Sequence, residues 1–345
     1  MRKIAEAAAG TSDPRKGLVL AAQAQNLAAL IASDCGLPGQ ARAMCWQHYD
    51  TYQAARPLTG RVARYCLEPL INLARMRIRA GDGAGAFTLL TDLWRTFDSG
   101  APVSLDGRTV CLRGLTATSA DRQETQTWLF RALIAEAPRA LIRAGQWGKA
   151  LSYITEHNAV GVRLFEGRQI AIVANCLKGR NAARTALNLL AEAATDTHWE
   201  HAVSACLTTL CLTAAGQPPL TTSRMEDAYL RLPAKHGLHM FRAQLGLTVI
   251  DLLDAADHPT AGPTTAHLIR DALQSKDGYM AREVLTHLSA RGLLTRETRA
   301  DLMRLVRSSG LDGAGLLGYG EHDLITAASS AELAARRILG TAVTS

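Results

Sequence analysis

The sequence has little that could build a sheet. Strand-forming residues are sparse and rarely alternate with polar ones, which argues against a sheet-based fold. Cysteine pairing motifs are also missing. Cys35, Cys45, Cys66, Cys111, Cys176, Cys206 and Cys211 make an odd number and show no CxxC spacing. Several sit among apolar helical residues, where cysteine behaves as a small hydrophobe, so a reduced, cytoplasmic protein is expected. No apolar run suits a bilayer: the longest, Leu18 to Ala32, is interrupted by Gln23, Gln25 and Asn26. Nor does the start read as a secretory signal, because Arg2 and Lys3 precede only a short alanine stretch that Glu6 interrupts and Gly10 ends. Aromatic residues make up only 5% of the 345 residues.

What is abundant points to helix. Alanine supplies about a sixth of the chain and leucine is the other common residue. The net charge of +7 is modest for this length, whereas nucleic-acid binders concentrate their charge further. Arginine outnumbers lysine about five to one, a bias that coding composition explains as readily as function.

Apolar periodicity is nearly continuous after a loose basic arm at 1–17. It predicts helices over about 18–33, 38–55, 59–80, 83–97, 120–144, 147–158, 165–179, 182–194, 198–215, 224–235, 238–256, 262–276, 278–291, 295–309 and 322–339. Thr197-x-x-Glu200, Ser223-x-x-Glu226 and Ser329-x-x-Glu332 match the capping box that opens a helix. Gly81, Gly145, Gly179, Gly216 and Gly310 follow periodic stretches as helix stops do. Pro138 should kink or break its helix. Within about 102–112, Asp106-Gly107 between two short β-prone runs predicts an inserted hairpin.

Three segments resemble one another: Arg79-Ala-Gly81 to Ala86, Arg143-Ala-Gly145 to Ala150, and Leu177-Lys-Gly179 to Ala186. Each reads as a helix end, a glycine, a short turn and a small residue opening a second helix. The glycine spacing near 34 residues resembles the tetratricopeptide repeat, in degenerate form over about 59–235. The resemblance implies an all-α, right-handed α-solenoid of stacked antiparallel helix pairs with a concave surface. The domain plan is then the arm at 1–17, a repeat region at 18–256 and a C-terminal helical region or cap at 257–345. The weakest join falls near Ala255 to Pro263.

The surface singled out lies on helix 59–80. Arg61, Arg64, Glu68, Asn72, Arg75 and Arg79 recur at spacings of three or four, so they line one face, with Leu67, Leu70, Ile71, Ala74 and Ile78 opposite. An arginine stripe on a concave side would attract an acidic peptide or a free carboxylate. Asn72 stands nine residues before Gly81, an offset similar to that of the asparagine in carboxylate-clamping members of the tetratricopeptide family.

Other constellations are weaker. His198 and His201 lie on one helical face without a third metal ligand in view, and His236 with His239 spans a helix break. Cys45 and His48 could meet as nucleophile and base at i, i+3, but Met44 and Trp46 beside Cys45 suit packing. Gly313-Ala-Gly315-Leu-Leu-Gly318 satisfies GxGxxG without the strand that fingerprint needs. Residues 278–309, with Arg299, Arg304 and Arg307, have the outline of a helix-turn-helix. The expectation is therefore a binding scaffold without catalysis, cofactor or metal, and with a protein or peptide partner rather than a membrane or nucleic acid. A ligand-sensing regulator of transcription and an enzyme or accessory subunit with an inter-helix site are the alternatives.

Overall fold

Short polar caps start several of the helices. In the computed structural model, Asp13 Oδ1 accepts the backbone N–H groups of Arg15 at 2.9 Å and Lys16 at 3.3 Å, and Pro14 opens the helix behind it. Thr118 and Asp121 cap reciprocally, as do Thr197 and Glu200. The stops are equally local. Gly81 and Gly145 end their helices at φ +90° and +70°, a backbone region that a side chain disfavours.

The structure describes all residues except 218–220, 234–236, 255–260, 314–318 and 344–345. Among the described residues the order is α1 (Arg2–Gly10), α2 (Pro14–Asp34), α3 (Pro38–Gln53), α4 (Gly60–Arg79), α5 (Gly83–Ser99), β1 (Val103–Leu105), β2 (Arg108–Val110) and α6 (Ser119–Arg143). There follow α7 (Trp147–Glu156), α8 (Glu166–Leu177), α9 (Arg180–Ala191), α10 (His198–Ala214), α11 (Thr222–Leu230) and α12 (His239–Asp254). The last are α13 (Ala261–Ser275), α14 (Gly278–Ala290), α15 (Arg296–Ser308) and α16 (Tyr319–Val343). The fold is all-α with one inserted hairpin. Among the described residues no helix is long and apolar enough to cross a membrane.

The chain divides into two units, one of residues 1–146 with 313–345 and one of residues 147–312. In the first, each helix from α2 to α6 packs on the next, and α2, α4 and α6 also touch one another in sequence. Contacts to the next and next-but-one helix are the signature of a solenoid stack. The core of this unit includes Leu67, Leu70 and Ile71 of α4, Leu90 and Leu93 of α5, and Leu129 of α6. The second unit repeats the scheme: α8, α10, α12 and α14 touch in sequence, and so do α11, α13 and α15. Among its described residues one apolar cluster includes Ile172, Cys211 and Tyr229, and another Ile250, Val284 and Leu302.

Several expectations change. Residues 1–17 are not a loose arm. They form α1 and the start of α2, and Ala5 and Ala8 are buried. Nor is 257–345 one region: α13, α14 and α15 belong to the second unit, whereas α16 packs on α1, α2 and α3 of the first. Ala5 and Ala24 meet Ala327 and Ala331 there, and a Cβ on Gly17 would lie 2.6 Å from Ile338 Cδ1. Small side chains on every side permit that close approach, which no local signal announces.

Ser329 and Glu332 lie inside α16 rather than at a helix start, and Glu332 takes hydrogen bonds from Gln47 and Arg336. Thr221, not Ser223, stands at the N-cap position of α11, its hydroxyl bonded to Thr209 rather than to the helix, and Glu226 accepts a hydrogen bond from Thr264. Pro138 does not break α6. Buried Leu133, Ala137, Ala140 and Leu141 carry the helix past it, outweighing a proline penalty of about 3 kcal/mol. The GxGxxG glycines from 314 onward, His236 and most of the Ala255–Pro263 join lie outside the described residues.

The hairpin is present and firmly anchored. β1 and β2 pair antiparallel, with Val103 opposite Val110 and Leu105 opposite Arg108, and the turn residues Asp106 and Gly107 have φ +51° and +80°. The Asp106 carboxylate is buried between helices: it accepts from Arg77 at 2.9 Å, from Trp46 Nε1 at 3.4 Å and from Arg42. Arg108 reaches Asp50 at 2.9 Å and lies 4.4 Å over the Trp46 ring. The ribbon thus ties α3 to α4.

Candidate functional site

Helix α4 delivers the arginine stripe, but its neighbours divide it into two halves. The half toward the C-terminus is an internal network. Asn72 is buried and its Nδ2 donates to Asn26 Oδ1 at 3.2 Å. Arg75 donates to Asn72 Oδ1 at 2.9 Å, to Glu68 at 2.8 Å and to Glu136 of α6 at 2.8 Å. Burial works against the Arg75 charge, but Glu136 and Glu68 outweigh it and hold the guanidinium more firmly protonated than usual. Arg79 is paired with Asp34 at 2.6 Å. Of the six residues, Glu68, Asn72, Arg75 and Arg79 therefore bind one another or adjacent helices, so they hold α2, α4 and α6 together.

Arg61 and Arg64 form the other half. Among the described residues neither makes a hydrogen bond or ion pair. Arg64 borders two of three neighbouring hollows on the face that α2, α4 and α6 share. One of about 470 Å³ runs along Val19, Asn26, Leu27, Leu30, Arg64, Tyr65, Glu68 and Trp128. The next, about 410 Å³, continues past Arg64 and Trp128 to Gln123, Glu124 and Arg131. A third, about 270 Å³, is lined by Arg15, Arg61, Tyr65 and Glu124. Shared walls make these one groove with an apolar side on α2, two aromatic rings in the middle and cations at the rim. Trp128 and Tyr65 were not legible as site residues. Each is a single aromatic in a helical pattern, and only the stacking of α4 on α6 brings them to one surface.

The second unit has its own hollow, about 370 Å³, between α8, α10 and α12. It is mainly apolar, with Val173, Leu207, Leu210, Phe241 and Leu245 in its wall, and Cys206 also borders it. Asp251 at its edge is bound by His287 at 2.9 Å and by Arg291.

The catalytic alternatives lose ground. Cys45 and His48 are both buried, and burial pushes the thiol up to about 12 and the imidazole down to about 3. A thiol that resists ionising beside a base that resists protonation is the reverse of an activated pair. His198 and His201 are exposed on the first turn of α10. Glu200 between them accepts two 2.8 Å hydrogen bonds from Arg163, which hold its carboxyl down to about 2, and it also completes the helix cap. On α15, Arg304 pairs with Asp301 and Arg307 with Asp312, just beyond the helix, at 3.5 Å, so two of the three helix-turn-helix arginines are engaged within the protein.

No protein-family model, curated protein or solved structure matches this chain.

Proposed function

We propose that the chain is a non-catalytic, tetratricopeptide-like binding scaffold whose α2–α4–α6 groove takes a peptide carrying a carboxylate beside apolar side chains. One observation carries this reading. Arg64 has no partner among the described residues and lines the same hollow as Tyr65 and Trp128, while the arginines behind it are neutralised by Glu68, Glu136 and Asp34. A cation left unpaired in a partly apolar hollow is a ready site for an anionic group. The apolar wall of Val19, Leu27 and Leu30 would take the flanking side chains. A cytoplasmic setting accords with seven unlinked cysteines.

The test is a peptide-display selection on the full chain, followed by titration of the enriched peptides against the native protein and Arg64→Glu. A charge-assisted hydrogen bond is worth about 1.5–3 kcal/mol, so Arg64→Glu should weaken binding by about 10- to 100-fold or more. Neutralising the peptide carboxylate as its amide should remove most of the same affinity. Enriched peptides that bind both proteins equally, or a selection that enriches nothing, would count against the groove.

A further inference from the structure

A pair of buried sulfurs lies apart from the proposed groove, in the second unit. Cys176 is on the last turn of α8 and Cys211 on the last turn of α10, and their Sγ atoms are 3.4 Å apart. Both belong to the cluster that also holds Ile172, Leu190 and Leu207. A disulfide needs the sulfurs at about 2.05 Å, so a side-chain movement of roughly 1.4 Å would join them.

We propose that Cys176 and Cys211 are an oxidative cross-linking site that uses hydrogen peroxide and fastens α8 to α10. The reaction runs in two displacements. The Cys176 sulfur, as thiolate, attacks one peroxide oxygen. The O–O bond breaks, the leaving hydroxide takes up the thiol's proton as water, and Cys176 becomes a sulfenic acid. The Cys211 sulfur then attacks the Cys176 sulfur. The S–S bond forms, the S–O bond breaks, and the departing hydroxide leaves as water with the Cys211 proton. Two thiols and one peroxide give one disulfide and two waters.

Two features favour this order. When one proton leaves the pair, the remaining S–H stabilises the thiolate beside it, and Cys176 is the less enclosed of the two residues, 6% exposed against 0%. The route in is the apolar hollow of this unit, whose wall holds neither sulfur but includes Val173, one turn before Cys176, and Leu207, one turn before Cys211. A small peroxide can approach through such a hollow, whereas a bulky disulfide reagent is held off by the burial of both sulfurs. Because α8 and α10 also form two walls of the hollow, the cross-link fixes the spacing of those walls.

The folded, full-length protein is treated with hydrogen peroxide, quenched, unfolded in an alkylating reagent and analysed by intact mass and peptide mapping. The expected product has lost two hydrogens, resists alkylation at Cys176 and Cys211, and yields one linked peptide pair containing both. Cys211→Ala should instead accumulate a sulfenic acid at Cys176 that a cyclic dione captures. The linked protein should melt several degrees above the reduced one, since the bond closes a segment spanning 35 residues. Cys111, the one cysteine that is not buried, serves as the internal control for exposure to oxidant. Full alkylation of Cys176 and Cys211 under conditions that oxidise Cys111, or a link from either of them to Cys206, would overturn the proposal.

Discussion

Lowering the pH from 7 to 5 should destabilise the first unit through His48. The imidazole is buried, packed 5.1 Å from the Tyr52 ring, and neither ring nitrogen has a hydrogen-bond partner among the described residues. Burial pushes its pKa down from 6.5 to about 3. Between those values the unfolded chain binds a proton that the folded chain refuses, so stability falls as pH falls, by about 1.4 kcal/mol per unit. From 6.5 to 5 the loss is about 2 kcal/mol. His48→Leu removes both the unpaired nitrogens and the titration. At pH 7 the variant should match or exceed the native protein by up to about 1 kcal/mol, because relief from unsatisfied polar atoms offsets an imperfect fit. At pH 5 its advantage should widen by the further ~2 kcal/mol. Urea unfolding of both proteins at pH 7, 6 and 5 measures the gap. A gap that stays constant with pH would refute the titration argument. A leucine variant weaker by more than about 2 kcal/mol at pH 7 would show that the ring nitrogens are bonded after all.

Other consequences are more direct. Arg75→Glu would set three carboxylates together around Glu68 and Glu136. It should lower stability by about 2–3 kcal/mol in urea, less than a fully buried pair because Arg75 is partly open to water. Gly83→Ala would put a Cβ 2.3 Å from the Ala140 carbonyl oxygen. It should cost about 2 kcal/mol or more as α5 and α6 are forced apart, read as a drop in melting temperature. Glu200 titrates low in the folded state because Arg163 holds it, so its stabilisation is present above pH 4.5 and lost as pH falls toward 2. Acid unfolding of Glu200→Gln should show a flatter dependence over that window, and an unchanged profile would contradict the pairing.

The helices were legible because their signals are local. Periodicity located each helix from α2 to α16, and Asp106-Gly107 marked the hairpin turn. Alanine-rich α1 escaped because Ala5 and Ala8 are defined as core only by α16, more than 300 residues away. The capping-box pattern misled at Ser329 for a related reason: four residues cannot tell a helix start from the middle of a long helix that already runs from Tyr319. The stripe on α4 was visible as a face, but spacing could not separate Arg75, whose partner Glu136 comes from α6, from Arg64, which faces the groove. Partners from distant helices decide which charges are structural, and those partners are set by stacking rather than by the local pattern.

The return of α16 to the first unit has a consequence for synthesis. Residues 147–312 emerge from the ribosome as an uninterrupted block and have all their own packing surfaces at hand. The first 146 residues do not, because the seat of α16 on α1, α2 and α3 stays uncovered until Tyr319–Val343 has been made. At about 5–20 residues per second, that wait lasts roughly 10–40 s. The unit that begins first is therefore completed last. In the interval its alanine-lined seat stays open to solvent.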